Sequence, residues 1–105
     1  MLRILTLLFL LPLSAMAADA DYKLVIENHR FQPAELTIPA GKKIRLMVEN
    51  HDATPEEFDS HSMNREKVIP GNSSGLVFIG PLDPGRYPFM GEFHAATAQG
   101  AIIAK

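Results

Sequence analysis

The feature that most constrains this chain is the rhythm of its apolar residues, which alternate with polar ones in short runs broken by Pro and Gly at nearly regular spacing. That period of two belongs to half-buried strands and excludes a helical bundle. Tyr22 to Asn28 reads as a first strand with Tyr22, Leu24 and Ile26 on one face, and Glu35 to Ile38 as a second, closed by the turn Pro39-Ala40-Gly41. Ile44 to Asn50 sets Ile44, Leu46 and Val48 against Arg45, Met47 and Glu49. A polar bend, Asn50 to Pro55, leads into Glu56 to Ser60. From His61 to Gly75 no period is visible, and Asn64 to Lys67 reads as a solvated connection with at most one helical turn. Gly75 to Ile79, Arg86 to Phe93 and Ala101 to Ala104 complete the set, with Pro81 to Gly85 as a turn. The expectation is an all-β sandwich or barrel of about seven or eight strands. Its expected core is Leu24, Ile26, Leu46, Val48, Phe78 and Phe89.

Residues 1–17 stand outside this rhythm. Arg3 precedes an apolar run from Ile4 to Leu13, and Ala15-Met16-Ala17 has the small-residue spacing of a processing site. The run is short against the roughly 20 residues needed to span a bilayer, so it reads as a secretory signal peptide rather than a stable membrane anchor. The domain is then 18–105, exported to the periplasm, with nine Lys/Arg against twelve Asp/Glu, a net charge of −3. Scattered basic residues and a slightly acidic balance argue against nucleic acid as a partner. The chain has no cysteine. Small exported domains often rely on disulfides, so this one depends on packing alone, and any metal site must do without thiolate.

Taken together, Phe31-x-Pro33, Pro39-Ala40-Gly41, Val48-x-Asn50 and Leu82-x-Pro84-Gly85-x-Tyr87-x-Phe89 followed by His94 resemble the cupredoxin family. The resemblance implies a cupredoxin-like Greek-key β-sandwich. It puts Glu57 in the slot of the first metal-binding His, Gly91 in that of the Cys and His94 in that of the second His, with Gln99 where some members place an axial ligand. Blue copper needs two His and one Cys with a weak axial ligand, so electron transfer through a copper–thiolate bond is excluded. Pro55-Glu56-Glu57-Phe58, Arg65 to Gly71 and Gly91 to Gly100 are similar to the cysteine-poor cupredoxins of bacterial high-affinity iron uptake, including the Efe-type periplasmic component. What this implies is binding or oxidation of ferrous iron, with copper as a further metal, before iron passes to an iron permease and its periplasmic partners.

The chemistry of the residues gives a parallel argument. Glu57, Glu92 and His94 form a set of carboxylate and imidazole donors that suits iron or Cu(II) and disfavours Cu(I). Residues two apart on a strand point the same way, so Glu92 and His94 converge if the strand runs through His94, whereas a bulge at Gly91 would re-aim one of them. Each also has a plainer role open to it: Glu57 as an exposed strand charge, Glu92 in an ion pair, His94 as a structural residue. His61 and Met63 are further candidates, since imidazole and thioether two residues apart suit copper, and so are Met90 and Gln99. His29 and His51 fall in loops and rank last. No nucleophile elbow or phosphate loop is present. An enzyme built this way would be a metal-dependent oxidoreductase with a partner as electron acceptor. The rival expectations are a metal-free sandwich docking on a membrane transport partner, and a periplasmic copper carrier using His61, Met63 and His94.

Overall fold

A computed structural model of the protein describes residues 19–105. The expected signal peptide, 1–17, lies outside the described residues. Among them no helix is long and apolar enough to cross a membrane.

Nine strands form two sheets. β1 (Tyr22–Glu27), β2 (Arg30–Gln32), β4 (Ile44–Asn50) and β7 (Ser73–Ile79) make a four-stranded sheet in the order β2-β1-β4-β7. β3 (Glu35–Ile38), β5 (Glu56–Ser60), β6 (Arg65–Ile69), β8 (Gly85–Gly91) and β9 (Gln99–Ala104) make a five-stranded sheet in the order β3-β9-β8-β5-β6. The β1–β4 and β3–β9 pairs are parallel and the others antiparallel. The two inner faces meet in one core that includes Leu24, Ile26, Leu46, Val48, Phe58, Ile69, Val77, Phe89 and Ile102. Burying each such side chain is worth about 1.5–3 kcal/mol, which is how a domain without disulfides holds together. At one end of that core Phe31, Phe58 and Phe89 pack edge-on and tilted, with ring centroids 4.8–6.2 Å apart.

Three expectations change. Phe78 is 51% exposed, because Val77 and Ile79 take the inward phase of β7 and alternation turns Phe78 outward. The stretch read as a solvated connection is β6, paired with β5 from Glu56↔Ile69 to Ser60↔Arg65. Only Ile69 of β6 is buried, and its charged residues sit on a sheet edge, where charge blocks edge-to-edge association. Finally, β2 is a strand of its own, joined to β1 by the two-residue turn Asn28-His29.

That turn positions the site. Asn28 and His29 both have positive φ, 53° and 56°, as a type I′ hairpin turn requires. Glycine is the ordinary choice at the second position; here it is histidine, in a region non-glycine residues seldom occupy. The conformation is over-determined by its neighbours. The Asp52 carboxylate accepts the Asn28 and His29 N–H groups at 2.9 and 3.0 Å, and the Thr97 hydroxyl donates to the His29 carbonyl at 2.6 Å. Asp52 is itself held by Asn50, which is buried at the end of β4. The Asn50 side-chain oxygen accepts the Asp52 N–H, and its amide nitrogen donates to the Thr54 and Ile69 carbonyls.

Candidate functional site

On β5 the residues alternate strictly: Glu56, Phe58 and Ser60 face inward, Glu57 and Asp59 outward. Glu56 therefore stands one pleat beyond Phe58, at the rim of the aromatic cluster. It is 1% exposed, and a buried carboxylate must find hydrogen bonds. One oxygen accepts the N–H groups of Glu57 and Phe93 at 3.0 and 2.9 Å, and the other meets His94 Nδ1 at 2.6 Å. β8 ends at Gly91, and a three-residue 3-10 turn, Glu92–His94, carries His94 back over Glu56.

The strand does not run on through His94, the condition on which Glu92 and His94 would converge: the turn separates them, leaving Glu92 exposed and His94 partly buried. Gly91 is no bulge of unusual backbone either, since its φ of −93° and ψ of 108° are open to any residue. It is glycine for space. A Cβ there would lie 2.6 Å from Glu56 Cδ and 2.7 Å from Ala98 Cβ.

The His29 ring lies flat on the His94 ring, with centroids 3.6 Å apart and planes 9° from parallel. Ring lone pairs lie in the ring planes, and parallel planes do not meet. In this arrangement the two imidazoles cannot ligate one ion. The hydrogen bonds from His29 and Asn28, together with any charge on His29 and His94, lower the pKa of Asp52.

The structure therefore gathers Glu56, His94, His29 and Asp52 at one end of the sandwich. Among the described residues no three His, Asp or Glu side chains converge so as to hold a metal ion. Of the residues singled out in the sequence, His94 is in this cluster and Glu92 lies on its rim. Glu57 is half-buried on the outer face of β5. Met63 is buried in the core, whereas His61, Met90 and Gln99 line a groove on the outer face of the five-stranded sheet. His51 is exposed and meets Glu49 at 3.1 Å. Sequence reasoning passed over Glu56 and ranked His29 last. The phase of β5 was available, because if Phe58 points inward then so does the residue two before it.

The family model of the cupredoxin-like domain matches residues 1–104. The chain belongs to the cupredoxin-like family. An uncharacterized protein of Rickettsia prowazekii (strain Madrid E) is 43% identical over 83 residues, which cover 79% of this chain and 66% of that protein, just under two thirds of its length. Amicyanin from Paracoccus versutus superposes with a TM-score of 0.66 at 18% identity, over 87% of this chain and 88% of amicyanin. Auracyanin A of Chloroflexus aurantiacus, a "blue" copper protein, gives 0.67 at 14% identity, over 79% and 96% of the two chains. At these identities the likeness is one of fold. The cupredoxin-like sandwich expected from the sequence is what the chain forms.

Blue copper does not fit these residues. The thiolate it needs is missing from the whole sequence, and the space beside Gly91 is filled by the Glu56 carboxylate, whose Oε2 is 2.8 Å from where a Cβ would stand. The donors left at this end of the sandwich are oxygen and nitrogen.

The outer face of β5 carries its own electrostatics. Partial burial raises the pKa of Glu57, and the neighbouring charges of Glu66, Asp59, Glu92 and Glu56 raise it further. A carboxyl raised above its unfolded value weakens the fold as it ionises. Stability is therefore lost as pH climbs from the ordinary carboxylate range through the raised value. Glu57→Gln is expected to melt slightly higher than the parent at pH 7 in low salt and together with it at pH 3. Thermal melts at the two pH values check this, and an unchanged or lower midpoint at pH 7 would contradict it.

Proposed function

We propose that this cupredoxin-like protein works outside the cytoplasm in ferrous-iron uptake, binding the iron ion as cargo before it passes to a membrane permease. The observation that carries this reading is the hydrogen-bonded Glu56–His94 pair, a carboxylate and an imidazole 2.6 Å apart at the loop end of the sandwich. Carboxylate and imidazole suit iron, and the absence of sulfur disfavours Cu(I). An ion bound there takes the place of the proton the pair shares, so binding competes with protonation. His94 sits on a short turn outside the sheet ladder, at the rim of the sandwich. Glu92 and, from the outer face, Glu57 supply further charge around the mouth. Oxygen and nitrogen donors of this kind hold iron in either oxidation state. The location outside the cytoplasm rests on the apolar N-terminal segment.

Calorimetric titration with Fe(II) under anaerobic conditions tests the site. Glu56→Gln and His94→Ala are expected to weaken binding by about tenfold or more, with Glu57→Gln as the comparison that separates the two adjacent carboxylates. Cu(II) added to the protein gives no intense thiolate band. In cells, deleting the gene is expected to slow uptake of radiolabelled ferrous iron.

A second reading, a metal-free module that docks on a transport partner, draws on the same pair. Glu56 already satisfies His94, and no third ligand of the His, Asp or Glu type converges on them among the described residues. Absence of any Fe(II) or Cu(II) binding would favour it and overturn the first.

A further inference from the structure

The outer face of the five-stranded sheet carries a row of donor side chains separate from Glu56 and His94. Asp59 on β5 lies opposite Met90 on β8, and Met90 lies opposite Gln99 on β9. Carboxylate, thioether and amide thus stand side by side across three neighbouring strands. Directly opposed residues share a face with Cβ atoms about 5 Å apart, so Met90 stands within side-chain reach of Asp59 on one flank and of Gln99 on the other. Met90 points outward because Phe89 and Gly91 on either side of it are buried. His61, one residue past the end of β5, lines the same groove, whose volume is about 600 Å³.

The Asp59 and His61 donors are uncommitted. Neither the Asp59 carboxylate nor the His61 ring hydrogen-bonds to a described residue, whereas the Gln99 amide nitrogen donates to the Ala95 carbonyl at 2.9 Å and closes the far side of the groove. The charge balance also calls for a cation. Asp59 is paired directly with Glu66 across β5 and β6, and like charges so placed repel. The groove's own cation, Arg86, is already neutralised by Glu35 at 2.8 Å.

We infer that His61 and Met90 hold a second metal ion in this groove, Cu(I), with the Asp59 carboxylate beside it. Thioether sulfur is a soft donor that selects Cu(I), and imidazole binds copper readily. One carboxylate neutralises a monovalent ion. The site is independent of the iron reading, because it shares no residue with the Glu56–His94 pair, which has no sulfur. Its open groove suits an ion that arrives from and leaves to a partner.

Anaerobic titration of the purified protein with Cu(I), against a coloured competing chelator, tests the assignment in the parent and in Met90→Leu, His61→Gln and His94→Ala. Leucine conserves the volume of Met90 at an exposed position, and circular dichroism confirms that each variant is folded. The expected result is one Cu(I) per chain, weakened about tenfold or more by Met90→Leu and by His61→Gln and unchanged by His94→Ala, with a sulfur neighbour to copper in X-ray absorption. Parent-like affinity in both Met90→Leu and His61→Gln overturns the site. So does loss of binding in His94→Ala, which would place the ion at the other end of the sandwich.

Discussion

Replacing Glu56 with alanine is expected to remove about 3–5 kcal/mol of stability, the range for breaking a buried pair by deleting one partner. The substitution strips the acceptor from the Phe93 and Glu57 N–H groups and from His94 Nδ1 at once. It also opens a hole that nothing nearby can fill, since Gly91 has no side chain. Water entering past His94, whose side chain is 26% exposed, recovers part of the cost, so the lower end of the range applies. Glu56→Gln keeps the volume and one carbonyl oxygen, and costs less, about 1–2 kcal/mol. Urea denaturation followed by circular dichroism measures both, with an unchanged slope showing that only stability has moved. A small domain has about 5–15 kcal/mol in total, so the alanine variant stands near the limit of folding. If it instead loses less than about 1 kcal/mol, the pair is no structural element and exists only for what it binds.

The companion change fills the space from the other side. Gly91→Ala places a Cβ 2.6 Å from Glu56 Cδ and 2.7 Å from Ala98 Cβ, and overpacking of this kind costs about 1–3 kcal/mol. The backbone at Gly91 is ordinary extended chain, so the whole cost is steric. Ala98 accepts the Gly91 N–H through its carbonyl at 2.8 Å and has little freedom to retreat. Glu56 must therefore move, and with it the hydrogen bond to His94. In a Glu56→Ala background the contact with the carboxylate is gone and only that with Ala98 remains. The two substitutions together are then expected to cost less than the sum of each alone by about 0.5 kcal/mol or more. Strict additivity would show that Glu56 does not occupy the space beside Gly91.

How much of this was legible in the sequence follows from what sets each feature. The strands β1, β3, β4 and β7 and the inward residues Leu24, Ile26, Leu46 and Val48 were legible, because alternation over a buried face leaves a period of two in the sequence. Phe78 was misplaced because hydrophobicity was followed over phase: Val77 and Ile79 claim the inner face, and a strand cannot bury neighbouring residues on one side. β6 was hidden because an edge strand needs no apolar period. Ladder hydrogen bonds to β5 hold it, and its charges face water. Cysteine count alone excluded copper–thiolate chemistry.

The site was decided by tertiary structure. Which of two adjacent carboxylates turns inward depends on the phase fixed by Phe58 in the aromatic cluster. Whether His94 continues a strand or turns back depends on Phe93 N–H finding an acceptor on Glu56, 37 residues earlier in the chain. That Glu56 has room at all depends on Gly91. The stacking of His29 on His94 depends on a hairpin turn whose strained second residue is held by Asp52 and Thr97. None of these contacts has a sequence period, since each joins segments that only the closing of the two sheets brings together.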